Sequence, residues 1–147
     1  MSVQEQEKLR KKHYSEAMRY MDNAKECLKN AKKDGKYYND PKYVRMACGA
    51  AYNGVLIALD GYFKLKDVEM PKGRGRKSTV SEHSRTIEFY HDNLAVLDKK
   101  MLNTLNNVYK ILHLWGYYDG IEDATVVKRG MDDAYLLINK IVPAESD

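Results

Sequence analysis

Four places in this chain carry side chains whose types and spacing could do chemistry. The first is the segment NVYKILHLWGYYDG, residues 107–120, where His113 lies within a turn of Tyr109, Leu112 and Trp115 at the expected end of its helix. A histidine there can act as a general base, because its ordinary pKa lies close to neutral pH. A histidine at the end of a helix can equally be a core residue, donating to a carbonyl and gaining from the helix dipole. The second place is the basic loop Lys72, Arg74, Arg76 and Lys77, interleaved with Gly73 and Gly75. Glycines expose backbone N–H groups beside guanidinium forks, a combination that suits a phosphate. The GxxxxGK[ST] spacing of a P-loop is absent, so a solvated surface loop is the simpler alternative.

The third is Glu88-Phe89-Tyr90-His91, the Glu-x-x-His step that di-iron bundles use twice. No second copy occurs here. His83 and His91 have no cysteine or carboxylate partner at ligand spacing, so no metal and no other cofactor is expected. The fourth is the pair Cys27 and Cys48. Neither has a histidine near it in sequence to activate a nucleophile, and both fall on helical stripes. They read as reduced core thiols of a cytoplasmic protein.

Helices must position all of these groups, since apolar residues recur at threes and fours along nearly the whole chain. The stretch 41–66, PKYVRMACGAAYNGVLIALDGYFKLK, is apolar over most of its circumference and is expected at the centre of the molecule. Ala47, Ala50, Gly54, Ala58 and Gly61 form a stripe of small residues, which lets a neighbouring helix approach closely. Asp40 and Pro41 mark its start. A preceding helix over 4–34 shows the stripe Leu9, His13/Tyr14, Ala17, Tyr20/Met21, Ala24, Cys27/Leu28 and Ala31. Lys29, Lys32 and Lys33 there complement the helix dipole, and Gly35 follows the cap.

After an irregular loop, 67–78, the capping box Thr79-Val80-Ser81-Glu82 opens the next helical stretch. Its stripe runs from Ile87 through Tyr90, Leu94, Leu97, Met101, Leu105, Val108 and Leu112 to Trp115. A break is expected within 92–98, with Asp98 as the new N-cap; Gly116 is expected to end the segment and Tyr117-Tyr118-Asp119-Gly120 to form a turn. A last helix covers 122–142, with Ala124, Val127, Met131, Ala134, Ile138 and Ile141 on one face. No segment has the period of a strand. The fold class is all-α, an antiparallel up-and-down bundle of four to five helices forming one domain over 1–147, with its tail 143–147 expected to be disordered.

A net charge of +4 over 147 residues is mildly basic and well short of the cationic stripe of a dedicated nucleic-acid binder. Charged residues interrupt every long apolar run, and the N-terminus has no apolar signal segment, so neither a membrane span nor export is expected. Twelve tyrosines and Trp115 are residue types that favour interfaces. The residues thus read as a non-catalytic interaction module, homodimeric or partnered with another helical protein.

The layout, with KYVRMACGAAYNGVLIALDGYF as second helix and NVYKILHLWGYYDG leading into a final amphipathic helix, resembles a small family of bacterial helical proteins with no assigned activity. More remotely it is similar to HEPN domains, helical bundles that partner minimal nucleotidyltransferases or act as metal-independent RNases in toxin–antitoxin and defence systems. That second resemblance implies weak RNA or nucleotide binding, with Arg74, Arg76 and Lys77 on phosphates and His113 with Tyr117 and Tyr118 at a groove. HEPN RNases carry an arginine four to six residues before the histidine and often a tyrosine two after it. Here Asn106, Asn107, Val108 and Tyr109 fill the arginine positions, and Trp115 stands two residues on. The departure argues against RNase activity.

Overall fold

Ser2 opens the first helix, α1 (Val3–Ala31), through a capping box in which its hydroxyl accepts from the Glu5 amide and Glu5 reaches back to the Ser2 amide. The computed structural model describes residues 1–69 and 86–144 of the chain. Of the stripe, His13, Ala17, Met21, Ala24, Cys27 and Ala31 are buried, and Leu9, Tyr14, Tyr20 and Leu28 are half-buried. The helix stops at Lys32, which takes a positive φ of 56° and turns the chain out of the helix. That end comes earlier than the sequence suggests. Gly35 is not a cap residue; it supplies the positive φ (66°) of the tight turn in a two-stranded hairpin, β1 (Lys33–Asp34) and β2 (Tyr37–Tyr38).

The hairpin is the one departure from an all-helical body among the described residues, and its cause is tertiary. Tyr38 N–H donates to the Glu122 carbonyl and Ala124 N–H to the Lys36 carbonyl, each at 2.8 Å, so the hairpin is stitched to the start of the last helix. A strand of two residues has no readable period.

The second helix, α2 (Pro41–Leu65), starts at Asp40, whose side chain accepts from the Lys42 amide. It is the centre of the molecule. Gly54 and Ala58 are buried, and α1 is the element that lies on them. A Cβ on Gly54 would stand 3.1 Å from the Ala17 carbonyl oxygen, and one on Gly61 would stand 2.7 Å from the His13 ring. Pairing of later α2 positions with earlier α1 positions makes the two helices antiparallel. The small stripe therefore accommodates a close helix crossing, which offsets a glycine cost of about 1 kcal/mol each.

Past Asp67 and Val68, residues 70–85 lie outside the described residues, and with them most of the basic loop and the expected capping box at Thr79. The chain is described again at α3 (Ile87–Leu97), which ends in an extended Asp98. Asp98 caps α4 (Lys99–Val108) by accepting from the Met101 amide, so the expected break is there and falls at its last position. The helical path then widens: Tyr109–Tyr118 is a π-helix of ten residues. Gly116 does not end the segment, and Tyr117 and Tyr118 continue the helix where a turn is expected. Gly116 sits inside the π-helix, buried, where a Cβ would come within 2.6 Å of Cys48 Cβ. The wider π turn also moves Trp115 off the core stripe to 39% exposure, since positions three apart no longer share a face.

Asp123 caps the last helix, α5 (Ala124–Ile138), accepting from the Thr125 and Val126 amides, and a 3₁₀ turn (Asn139–Ile141) follows. Gly130 brings α5 against Ile111 and Leu112 of the π-helix. The Ala144 amide donates to Glu7 of α1 at 2.8 Å. The whole is an all-α bundle with one small hairpin. Among the described residues no helix is long and apolar enough to cross a membrane.

A tyrosine pocket around His113

The π-helix decides which side chains meet at His113. Its rows of positions four and five apart place Tyr109, Tyr117 and Tyr118 around the imidazole. Ring centroids lie 5.2 Å away for Tyr109, 6.0 Å for Tyr117 and 5.0 Å for Tyr118. The Tyr117 ring is nearly parallel to the imidazole, at 6°, and the Tyr118 ring meets it edge-on at 74°. A fourth ring comes from α2: Tyr52 stacks on His113 at 4.6 Å and 24°. Aromatic pairs in this range add about 0.5–1.5 kcal/mol each beyond their burial.

Next to this cluster is a pocket of about 380 Å³, lined by Gly49, Tyr52, Asn53 and Leu56 of α2, Ile87 of α3, and Tyr109, His113 and Tyr117. Gly49 is what admits the Tyr117 ring, whose Cδ1 would lie 2.9 Å from a Cβ there. Burial lowers the His113 pKa below the usual histidine value. The expected dipole gain at a helix end is absent, because the π-helix runs on past His113 to Tyr118. Burial also pushes the Tyr52 phenol upward, with smaller contributions from Tyr109 and Glu88. An imidazole of lowered basicity walled by phenol rings is a surface for stacking and hydrogen bonding. Among the described residues no charged side chain is bonded to it, as acid–base chemistry would use.

The sequence-derived candidates divide three ways. His113, Tyr117 and Tyr118 are brought together. Arg74, Arg76 and Lys77 lie outside the described residues, as does His83. Glu88 and His91 are both exposed on α3, and no group of three or more His, Cys, Asp or Glu side chains converges among the described residues. Cys27 and Cys48 are free, buried thiols, and burial pushes Cys48 up to about 12, which makes it a poor nucleophile.

The roles of three side chains escape a reading of the sequence. Tyr52 joins the cluster from a helix some sixty positions earlier, and as one of three tyrosines in that helix it carries no signal of its own. Asp60, fully buried, accepts from Tyr90 Oη at 2.9 Å across the α2–α3 contact. His13, buried in α1, bonds through Nδ1 to the Ile57 carbonyl at 2.9 Å. A carboxylate in the middle of an apolar helix was the legible sign of Asp60 alone.

Comparison with known proteins adds a family. The model of a family described as a domain of unknown function, DUF5618, matches residues 12–143. Among solved structures, a protein of unknown function from Dyadobacter fermentans superposes with a TM-score of 0.73 at 39% identity, over 90% of this chain and 94% of that one. No curated protein matches the chain.

Proposed function

The chain belongs to the DUF5618 family, and since that membership names no chemistry, we propose from the geometry that it is a non-catalytic interaction module working as a homodimer. The observation that supports this is the exposed edge of the tyrosine cluster. Tyr117 and Tyr118 are in mutual ring contact yet 47% and 61% exposed, and Met46, one turn of α2 from Gly49 beneath Tyr117, is 51% exposed. Aromatic and methionine side chains of this kind are the types enriched at protein interfaces, where a large apolar face is gained at low conformational cost. Lowered basicity and the absence of a hydrogen-bonded acid or nucleophile at His113 among the described residues argue against turnover there. Sedimentation velocity at micromolar concentration tests the reading. The wild type should run at twice its 17.0 kDa chain mass, and Tyr117→Ser/Tyr118→Ser at the single-chain mass. A wild-type monomer ends it.

The near-parallel stack favours a second reading, a HEPN-like nucleotide or RNA binder. A base would stack in the His113 pocket, with Arg74, Arg76 and Lys77 on the phosphates. Base–aromatic stacking is worth about 1–3 kcal/mol. Binding to single-stranded RNA in a gel shift should then fall steeply with salt and disappear in Tyr52→Ala. No retention of RNA at low salt removes this reading.

A further inference from the structure

A second concavity stands apart from His113, between α1, the hairpin and α5. It is a slot of about 200 Å³, with Met21 and Leu28 of α1, Tyr38 of β2, and Ala124, Met131 and Tyr135 of α5 as its apolar walls. An adjoining hollow of about 400 Å³ shares Leu28 and Tyr38 with it. Among the described residues, every charged side chain lining the two is a lysine: Lys25, Lys29, Lys32, Lys33 and Lys128. Lys128 pairs with Asp132 at 2.9 Å and Lys29 with Glu26 at 4.0 Å, whereas Lys25, Lys32 and Lys33 make no ion pair among the described residues.

Compensation of the α1 dipole does not account for this set. Lys25 lies well inside α1, Lys33 is in the hairpin, and Lys128 is near the N-terminal end of α5, where the dipole disfavours a cation. Like charges converging on an apolar hollow repel one another, and an anion seated there relieves the repulsion. The walls add two further signs. Lys25 Nζ is held 5.8 Å above the Tyr135 ring centroid. The Tyr135 hydroxyl is buried with no hydrogen-bond partner among the described residues, a state that native structures rarely leave unanswered.

We propose that this slot binds a small anionic amphiphile, a short alkyl or aryl body carrying a single acidic head. The body occupies the space between Met21, Leu28 and Met131, roughly seven water volumes at about 30 Å³ each. The head lies among Lys25, Lys33 and Lys128, and burial of the body supplies most of the affinity.

Octanoate, octanol and acetate separate the two halves of the recognition. Titrated into the full chain by calorimetry, octanoate should saturate one site per chain. Octanol, lacking the charge, and acetate, lacking the body, should each bind at least roughly tenfold more weakly. Lys25→Gln/Lys33→Gln, both at exposed positions, should weaken octanoate roughly tenfold and leave octanol unchanged. Met131→Trp should abolish octanoate binding, with circular dichroism checking that the fold is kept. Octanol binding as well as octanoate, indifference to the lysine substitutions, or no saturable octanoate site would each overturn the proposal. So would sedimentation with phosphatidylglycerol vesicles in the absence of any octanoate site. None of these outcomes touches the His113 pocket, so this site and the interface fail or stand separately.

Discussion

His13 and His113 are the same residue in two opposite situations. His13 lies on the dry seam between α1 and α2, its ring against Gly61 and its Nδ1 hydrogen-bonded to the Ile57 carbonyl. A carbonyl can only accept, so Nδ1 carries the proton and Nε2 faces the Lys64 ammonium at 3.5 Å. Both nitrogens are engaged, and the imidazole is a fixed part of the helix contact. His113 is covered on its faces by rings and hydrogen-bonds to no side chain among the described residues. A ring with engaged nitrogens holds two helices together, whereas one with covered faces and unengaged nitrogens stays available to something from outside.

The sharpest way to break this comparison is to truncate each histidine. His13→Ala leaves a cavity and a lost buried hydrogen bond, and should cost about 2–4 kcal/mol in urea unfolding. His113→Ala, half-exposed, should cost no more than about 1 kcal/mol. Equal losses would erase the distinction.

The floor beneath the pocket should be nearly as intolerant as the seam. Gly116→Val forces atoms against Cys48 and the Ile111 carbonyl oxygen, which is backbone and cannot swing away. Overpacking there should cost roughly 1–3 kcal/mol. A neutral result would mean that the π-helix can shift as a unit.

A smaller effect is the pH response. Burial lowers the His113 pKa in the folded state below its unfolded value of 6.5. The unfolded chain therefore binds the extra proton first as pH falls. His113 contributes stability that is present above the unfolded pKa and is lost as pH drops through the folded one. The urea midpoint of the wild type should decline below about pH 6.5 more than that of His113→Gln. Identical profiles would show that solvent reaches the imidazole freely.

Gly49→Ala should have the smallest effect on stability and the clearest on function. The three atoms nearest a Cβ there all belong to the Tyr117 ring, an exposed side chain that can rotate, and alanine regains about 1 kcal/mol of helix propensity. Stability should hold or rise slightly, while self-association in sedimentation velocity should fall as Tyr117 leaves the stack. Unchanged association would place the interface elsewhere.

The helices were largely legible because each buries a stripe, and burial leaves its period in the chain. The stripe from Leu9 to Ala31, the Asp40–Pro41 start and the Asp98 cap are local codes, read within a turn or two of themselves. Leu97 and Trp115 continue the apolar period and yet stand 38% and 39% exposed, the one beside a helix break and the other inside the π-helix. A π-helix has no period of its own in ten residues, so nothing in YKILHLWGYY announces it. The candidate site was half legible for the same reason. Tyr117 and Tyr118 follow His113 in sequence, but Tyr52 reaches it only because α2 passes beneath.

By itself, then, the sequence determined an all-α body, the central place of the small-residue helix and the two buried, unreactive thiols. Those features arise from periodicity, caps and hydrophobicity, which act over a few residues. Only the tertiary structure decided the hairpin, the π-helix, the exchange of roles between the two histidines and the lysine-rimmed slot. Each of these depends on a neighbour far along the chain: Glu122 for the hairpin, Cys48 over Gly116 for the π-helix, Ile57 for His13, and α5 facing α1 for the slot. Contacts between distant segments are set by how whole helices fit, and no short window of sequence records that fit.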